Sequence, residues 1–386
     1  MRVLISGGGI AGLTAANFLI HQGHQITVID KASEFTNAGF VLSLKSFGVE
    51  IMKELGLEEK LRSIAAKSGS VNFYKQNGRL IRELSFTTIN KNLADSIMAT
   101  RGAIHRVIFE AIQTKTEIQF GTTIKSLTQN EKEVTIKLSN DKVIEVDLLI
   151  VSEGIRSTTR NKVWNDSPVE DFNIFYAAGR LQGLHSHKVG TIQTYQGLKK
   201  MLAILPLSDD ELAIQCYIHN STNADNVEAI KNGILSDSFG EFNSEVAGLV
   251  KKLETTGKIF SDKLGIVHEP VLHKGRVVLL GDAGYCPTGL SGMGASLSIF
   301  GAKALAHFIS NSPNDLNKAL ADFNSLMQPV ILKFQNNARN NAKNFLPMNN
   351  FNLWLKNTII RYIPNSFITK KMSRELRLTE LQKIFL

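Results

Sequence analysis

Residues 2–6, Arg-Val-Leu-Ile-Ser, run apolar into Gly7-Gly8-Gly9 and then into helix-period apolar positions from Ile10 to Ile20, and no other feature limits the possible folds so tightly. A strand that turns on glycine directly into a helix, with a second strand over Gln25–Asp30, is a βαβ unit, and such a unit starts a buried parallel sheet.

Gly7, Gly9 and Gly12 fit G-x-G-x-x-G at that junction. The first glycine permits the tight turn, the second lets backbone approach a pyrophosphate, and the third allows close packing of the helix. The helix start, with Ile10 and Ala11, offers free N–H groups and positive dipole to phosphate. Asp30, with Lys31 beside it, closes the second strand, where a carboxylate can bond both hydroxyls of an adenosine ribose and would repel a 2′-phosphate. FAD or NAD is therefore expected, rather than NADP, at this half of the site.

The far end of the chain separates the two. Gly281-Asp282-Ala283 follows the apolar strand Arg276–Leu280 and precedes Pro287, Gly289, Gly292 and Gly294. A strand-end carboxylate suits the hydroxyls of a ribityl chain, and a helix opening near Gly292-Met293-Gly294-Ala295 would turn its positive end toward a flavin's pyrimidine edge. NAD has no use for this second element.

Those pieces, together with Asp147-Leu-Leu-Ile-Val-Ser-Glu-Gly-Ile-Arg-Ser-Thr-Thr-Arg160 between them, make the chain similar to the group A flavoprotein monooxygenases of the aromatic-hydroxylase type over essentially its whole length. Within that class it resembles the tetracycline destructases, through Gly281–Gly292 and an additional C-terminal helix after Pro347. The resemblance implies FAD as cofactor, NADPH or NADH as transient reductant, and O₂ as the source of an oxygen placed on a small polycyclic or aromatic substrate. It sets Arg101 against the FAD and Phe175 where a substrate-contacting side chain lies in related enzymes. Two departures stand out: Glu153 where the family has aspartate, and Met293 and Ser296 where it has glutamine and asparagine.

The predicted fold class is α/β, with a discontinuous Rossmann-like FAD-binding domain (1–168 and 266–345), an antiparallel-sheet substrate domain (169–265) and C-terminal helices (346–386) that could act as a lid. Period-two patterning over Phe172–Ile218 carries the second sheet. Asn77-Gly78 marks a hairpin between Ser70–Tyr74 and Leu80–Ser85, one helix is expected over Ser46–Ala66, one strand over Val143–Val151, and a last helix over Ser366–Ile384. Substrate contacts are sought at Phe175, Gln215, Pro287 and Gly289, with Arg180, Gln193, Lys199, Lys200 and Tyr217 as further candidates. No acid/base pair is expected, because the cofactor carries the chemistry.

Composition removes other classes. Cys216 and Cys286 are the only cysteines in the 386 residues, so no disulfide framework and no Cys-x-x-Cys reductase pair exists, and the nine histidines have no metal-ligand spacing. The net charge of +9 is concentrated at the end, with ten Lys/Arg against two acids over Ile331–Leu386, so a general nucleic-acid-binding surface is not expected. That tail reads as a solvated helical face, or as a surface for an anionic partner or membrane. The expectation is a cytoplasmic monomer, without stable membrane insertion, acting on a small molecule. Rival readings are a hydroxylase of another aromatic or polyketide compound, a flavoprotein reductase on the same scaffold, and a basic membrane or nucleic-acid binder.

Overall fold

The computed structural model describes residues 1–36, 41–67, 69–85, 96–165, 167–219, 226–256, 259–368 and 370. The strand Arg2–Ser6, the helix Ile10–His21 and the strand Gln25–Ile29 form the βαβ unit, with Val3 opposite Ile26 in parallel register. They belong to a six-stranded sheet in the order His273–Lys274, Val277–Leu279, Leu148–Val151, Arg2–Ser6, Gln25–Ile29, Glu117–Gln119. Only the two-residue edge strand His273–Lys274 runs antiparallel to its neighbour. Leu148 to Val151 are buried at every position, as a parallel strand covered on both faces requires. Helices Arg101–Ile112 and Gly294–Asn311 pack against the helix Ile10–His21.

The single strand expected over Val143–Val151 breaks at Asp147. Its carboxylate accepts the Arg2 backbone N–H at 2.7 Å and the Arg2 Nη2 at 2.9 Å, which steers Leu148–Val151 into the parallel sheet. Val143–Val146 pairs instead with Val134–Leu138, which pairs with Ile124–Gln129, as a separate antiparallel sheet. The helix expected over Ser46–Ala66 likewise divides into Ser46–Glu54 and Glu58–Ser63, because Gly56 takes φ +71° between them.

A seven-stranded sheet forms the second layer, in the order Ile259–Ile266, Glu170–Gln182, Glu211–His219, Lys200–Pro206, Thr191–Gly197, Ser70–Lys75, Leu80–Ser85. The hairpin about Gly78, at φ +83°, forms where its turn signal lies. It nevertheless joins this sheet rather than the nucleotide-binding one, and Ser70–Lys75 pairs parallel with Thr191–Gly197, so the sheet is not purely antiparallel. One face packs on helices Ile234–Phe239 and Ser244–Thr256 through Ile214, Cys216, Phe239 and Val250. The opposite face buries Ile174, Tyr176 and Ala178 with Leu264 and Leu346.

Asp315 caps the long helix Leu316–Lys343, accepting from the Lys318 N–H at 2.9 Å, and Asn349 caps Asn350–Tyr362, accepting from the Asn352 N–H at 2.8 Å. From Lys371 onward the helix expected over Ser366–Ile384 lies outside the described residues. Among the described residues no helix is long and apolar enough to cross a membrane.

Candidate functional site

Steric demand within the chain explains Gly7 and Gly12 of the fingerprint. Gly7 stands at φ +111°, where a Cβ would lie 2.3 Å from the Ser152 carbonyl oxygen. A Cβ on Gly12 would lie 2.1 Å from the Gly7 oxygen and 2.5 Å from Ser152 Oγ, so helix and strand touch through backbone there. At Gly9 the nearest atom would be Arg101 Nη2 at 3.8 Å, which leaves open space at the mouth of the turn. Ser152 Oγ holds the turn by donating to the Gly7 carbonyl at 2.8 Å.

Asp30 accepts the Gly8 N–H at 2.7 Å and the Ala32 N–H at 2.8 Å, one on each oxygen. Each oxygen keeps lone pairs for a diol. Lys31 is exposed, and Ile10 and Ala11 are buried at the helix start. That start has no side-chain cap and no acid in its first turn, so its N–H groups face the mouth of the turn with the dipole uncompensated.

The second glycine-rich element meets the first directly. A Cβ on Gly281 would lie 2.7 Å from that of Ala11, and Gly281 takes φ +66°. Asp282 follows, then the buried Pro287, the short 3₁₀ turn Gly289–Ser291 and Gly292 at φ +61°. Gly289 is exposed, Met293 is buried, and Gly294 and Ala295 open a helix that again has neither a side-chain cap nor an acid in its first turn. Ser296 Oγ accepts the Lys45 N–H at 2.8 Å, tying this helix to the segment before Ser46–Glu54.

Arg101 joins the two halves. Its guanidinium lies within the fields of both Asp282 and Asp30, and burial holds its pKa below the usual arginine range. Burial likewise pushes the Asp282 carboxyl up while Arg101 opposes the shift. Among the described residues the Arg101 side chain makes no hydrogen bond and no ion pair, so the site holds a largely desolvated cation between two carboxylates. Two uncapped helix starts, two carboxylates and that cation are the donor set a flavin dinucleotide requires: amides and a guanidinium for pyrophosphate, carboxylates for ribose and ribityl hydroxyls.

Glu153 is accounted for within the chain. Its carboxylate accepts Ser6 Oγ at 2.5 Å, Ser157 Oγ at 2.8 Å, and both the Oγ1 and the N–H of Thr159, at 2.6 and 3.0 Å. The longer side chain thus reaches the start of the helix Thr158–Trp164 and clamps it to the first strand. Arg160, buried and not singled out from sequence, donates Nη1 to the Ala283 carbonyl at 3.1 Å and links the middle motif to the second glycine-rich one. His105 Nε2 sits 2.6 Å from the Gly8 oxygen. Both were legible only as members of motif-bearing helices, because their partners lie far away in sequence.

The substrate candidates divide by strand parity. Phe175 packs into the core on the helix-covered face with Ala177 and Phe239, which turns it away from the glycine-rich turn; Tyr176, one residue later, points to the other side, where Leu290 packs. Tyr176 and Tyr217 lie with ring centroids 4.9 Å apart, Tyr217 meets Phe345 edge-on at 5.0 Å, and Leu290 of the glycine-rich turn packs on the same cluster. Gln215 shares this face, donating Nε2 to the Val41 carbonyl at 3.1 Å and accepting from Tyr217 Oη at 3.3 Å. Burial raises both phenol pKa values, so both rings keep their protons as donors. Arg180 pairs with Glu211 at 3.1 Å, Lys200 with Glu241 at 2.6 Å, Gln193 accepts from Tyr195 Oη at 3.0 Å, and Lys199 sits at φ +59° in a turn.

Cys286 and Cys216 are buried, and burial raises both thiols far above their ordinary range. Neither is expected to react with Ellman's reagent in the native protein, and both should react in denaturant. A thiol titrating in the folded state would reassign Cys286 as reactive. Among the described residues no group of three or more His, Cys, Asp or Glu could hold a metal ion.

The model of the FAD binding domain family matches residues 1–314. A flavin-dependent monooxygenase from an unknown prokaryotic organism is 26% identical over 339 residues, covering 86% of each chain. The FAD-dependent monooxygenase asL4 of Sarocladium schorii is 23% identical over 402 residues, covering 94% of this chain and 92% of its own. Among solved structures, tetracycline destructase Tet(55) superposes with a TM-score of 0.81 at 24% identity, covering 98% of both chains. Klebsiella pneumoniae HpxO, complexed with FAD and uric acid, gives a TM-score of 0.85 at 18% identity, covering 97% of this chain and 96% of its own. With the glycine turns, both carboxylates and Arg101 brought together, the chain belongs to the FAD binding domain family, and it is similar over most of its length to flavin-dependent monooxygenases.

Proposed function

We propose that the protein uses NADPH or NADH and O₂ to hydroxylate a polycyclic substrate, with a tetracycline as the compound it inactivates. The observation that carries this reading is the aromatic cluster of Tyr176, Tyr217 and Phe345, on which Leu290 of the glycine-rich turn packs. An aromatic cluster with protonated phenols and the Gln215 amide suits a fused-ring substrate that carries its own hydroxyl and carbonyl groups. The solved neighbours include tetracycline destructases Tet(55) and Tet(51), which supports the same reading.

When bound, FAD supplies the redox chemistry and the reaction with O₂. The chain's residues orient, donate and exclude. Asp30, Asp282 and the helix starts at Ile10 and Gly294 would hold the dinucleotide. The second of those helix starts would favour negative charge on the ring edge. Tyr176, Tyr217 and Gln215 would hold the substrate's polar edge while the surrounding side chains keep water out. Pro287 and Gly289, where the turn meets the cleft, would set the distance between substrate and cofactor.

The residues after Pro364 are proposed to shape access to the cleft. Deleting them should leave FAD bound and change substrate KM or kcat. The decisive experiment incubates flavin-loaded protein with NADPH and a panel of tetracyclines, phenolic acids and polyketides, following oxygen uptake and chromophore absorbance. NADPH-dependent loss of tetracycline absorbance is the expected result. Turnover of another member alone would move the assignment to a different aromatic hydroxylase, and NADPH oxidation without oxygen uptake would make the protein a reductase.

A further inference from the structure

The helix Asn350–Tyr362 is turned outward compared with an ordinary surface helix. None of its residues is buried, while Phe351, Trp354, Leu355, Ile359 and Tyr362 are 65%, 60%, 39%, 50% and 70% exposed. At 3.6 residues per turn these five fall on one arc about 140° wide. Half-buried Leu353 and Ile360 take the opposite side, where the helix rests on the strands Leu80–Ser85 and Thr191–Gly197. Arg82 fixes that orientation: its guanidinium donates to the Ile360 carbonyl at 3.0 Å, to the Ile363 carbonyl and to Asn365 Oδ1. A contiguous apolar face of this size on a pinned helix calls for an occupant.

Charge indicates which one. From Phe323 to Arg374 the chain has eight Lys/Arg and no Asp or Glu. A groove of about 640 Å³ beside the helix has exposed Lys75, Arg79 and Arg361 on its rim and no acid in its lining. The Arg361 guanidinium lies 5.5 Å over the Tyr362 ring, which puts a cation at the edge of the apolar arc. A second copy would bring the same excess of positive charge to the contact and be repelled. An aromatic and aliphatic arc bordered by cations instead matches the boundary between anionic headgroups and acyl chains.

We propose that this face docks peripherally on an anionic lipid surface. The proposal does not depend on the substrate assignment. Trp354 reports on it directly, because the other tryptophan, Trp164, is buried with Nε1 donating to the Val271 carbonyl at 2.9 Å. Flavin-loaded, full-length protein is mixed with phosphatidylcholine vesicles, with and without about one-third phosphatidylglycerol, and followed by sedimentation and tryptophan emission. Binding to the anionic vesicles only, with a blue shift, is expected. It should weaken at least about tenfold in Ile359→Asp and several-fold at high salt. Both substitution sites, Ile359 and, in a second variant, Phe351→Ser, are exposed, so retained flavin absorbance and an unchanged melting temperature establish that the variants fold. No sedimentation with anionic vesicles overturns the proposal. So does binding that both variants leave intact, or a dimer in light scattering that Ile359→Asp dissociates without any vesicle binding.

Discussion

Gly12→Ala is expected to abolish FAD binding together with the native packing of the first helix, whereas Gly9→Ala should spare the fold and weaken FAD alone. The new methyl at position 12 would meet the Gly7 oxygen at 2.1 Å and Ser152 Oγ at 2.5 Å. The first obstacle is backbone, so the helix itself must move. Overpacking of this kind costs at or above the roughly 1–3 kcal/mol usual for an added methyl in a packed core. At position 9 the methyl would meet only Arg101 Nη2, at 3.8 Å, so the protein alone has no objection. A pyrophosphate lying against that backbone would, and an affinity loss of about tenfold corresponds to about 1.4 kcal/mol. Flavin fluorescence titration and thermal melts on the two variants separate the outcomes. If Gly9→Ala binds FAD like the wild type, the pyrophosphate does not lie where the turn opens.

The second large effect is expected at Arg101 and Asp282. Arg101→Ala removes the cation from between two carboxylates and should lower FAD affinity about a hundredfold, in line with about 1.5–3 kcal/mol for each lost charge-assisted hydrogen bond. Asp282→Ala should cost about ten- to a hundredfold on the same scale, and Asp282→Asn less, because an amide oxygen still accepts. The pH dependence has a definite sign. Burial already raises the Asp282 carboxyl and Arg101 holds it down, so removing Arg101 raises it further. As pH falls, the variant should lose its ionised acceptor earlier than the wild type, and the gap in FAD affinity between them should widen toward acid. Equal affinities at all pH values would show that the guanidinium does not face the dinucleotide.

The cofactor half of the site was legible because its demands are local. Glycines at 7, 9 and 12 and carboxylates at 30 and 282 sit at strand ends that short patterns mark, and each motif brings its own reason for the residue type. The substrate half was not. Period-two alternation over residues 170–182 separates Phe175 from Tyr176 but cannot say which set meets the helices and which meets the cleft. That is decided by where Ser244–Thr256 packs, through Val246, Val250 and Leu253, which lie far along the chain from the strand. The strand Ile259–Ile266 gives little apolar signal in sequence, because its half-exposed edge position weakens it. Asp147 shows the same limit at a single residue: nothing in Val143–Val151 announces a corner, since the partner that makes it, Arg2, lies at the other end of the chain.

The parallel sheet is closed by a strand that arrives very late. Leu149 pairs with Val277, and the 127 residues between them include five of the seven strands of the second sheet. At about 5–20 residues per second a ribosome takes roughly 6–25 s to make that stretch. Until then Leu148–Val151 presents an unpaired, wholly apolar edge. The nascent chain therefore passes through a period in which its most hydrophobic strand is an open template for other chains. Yield during synthesis would then depend on chaperone cover and on the speed of translation through residues 150–280, more than on the stability of the finished protein.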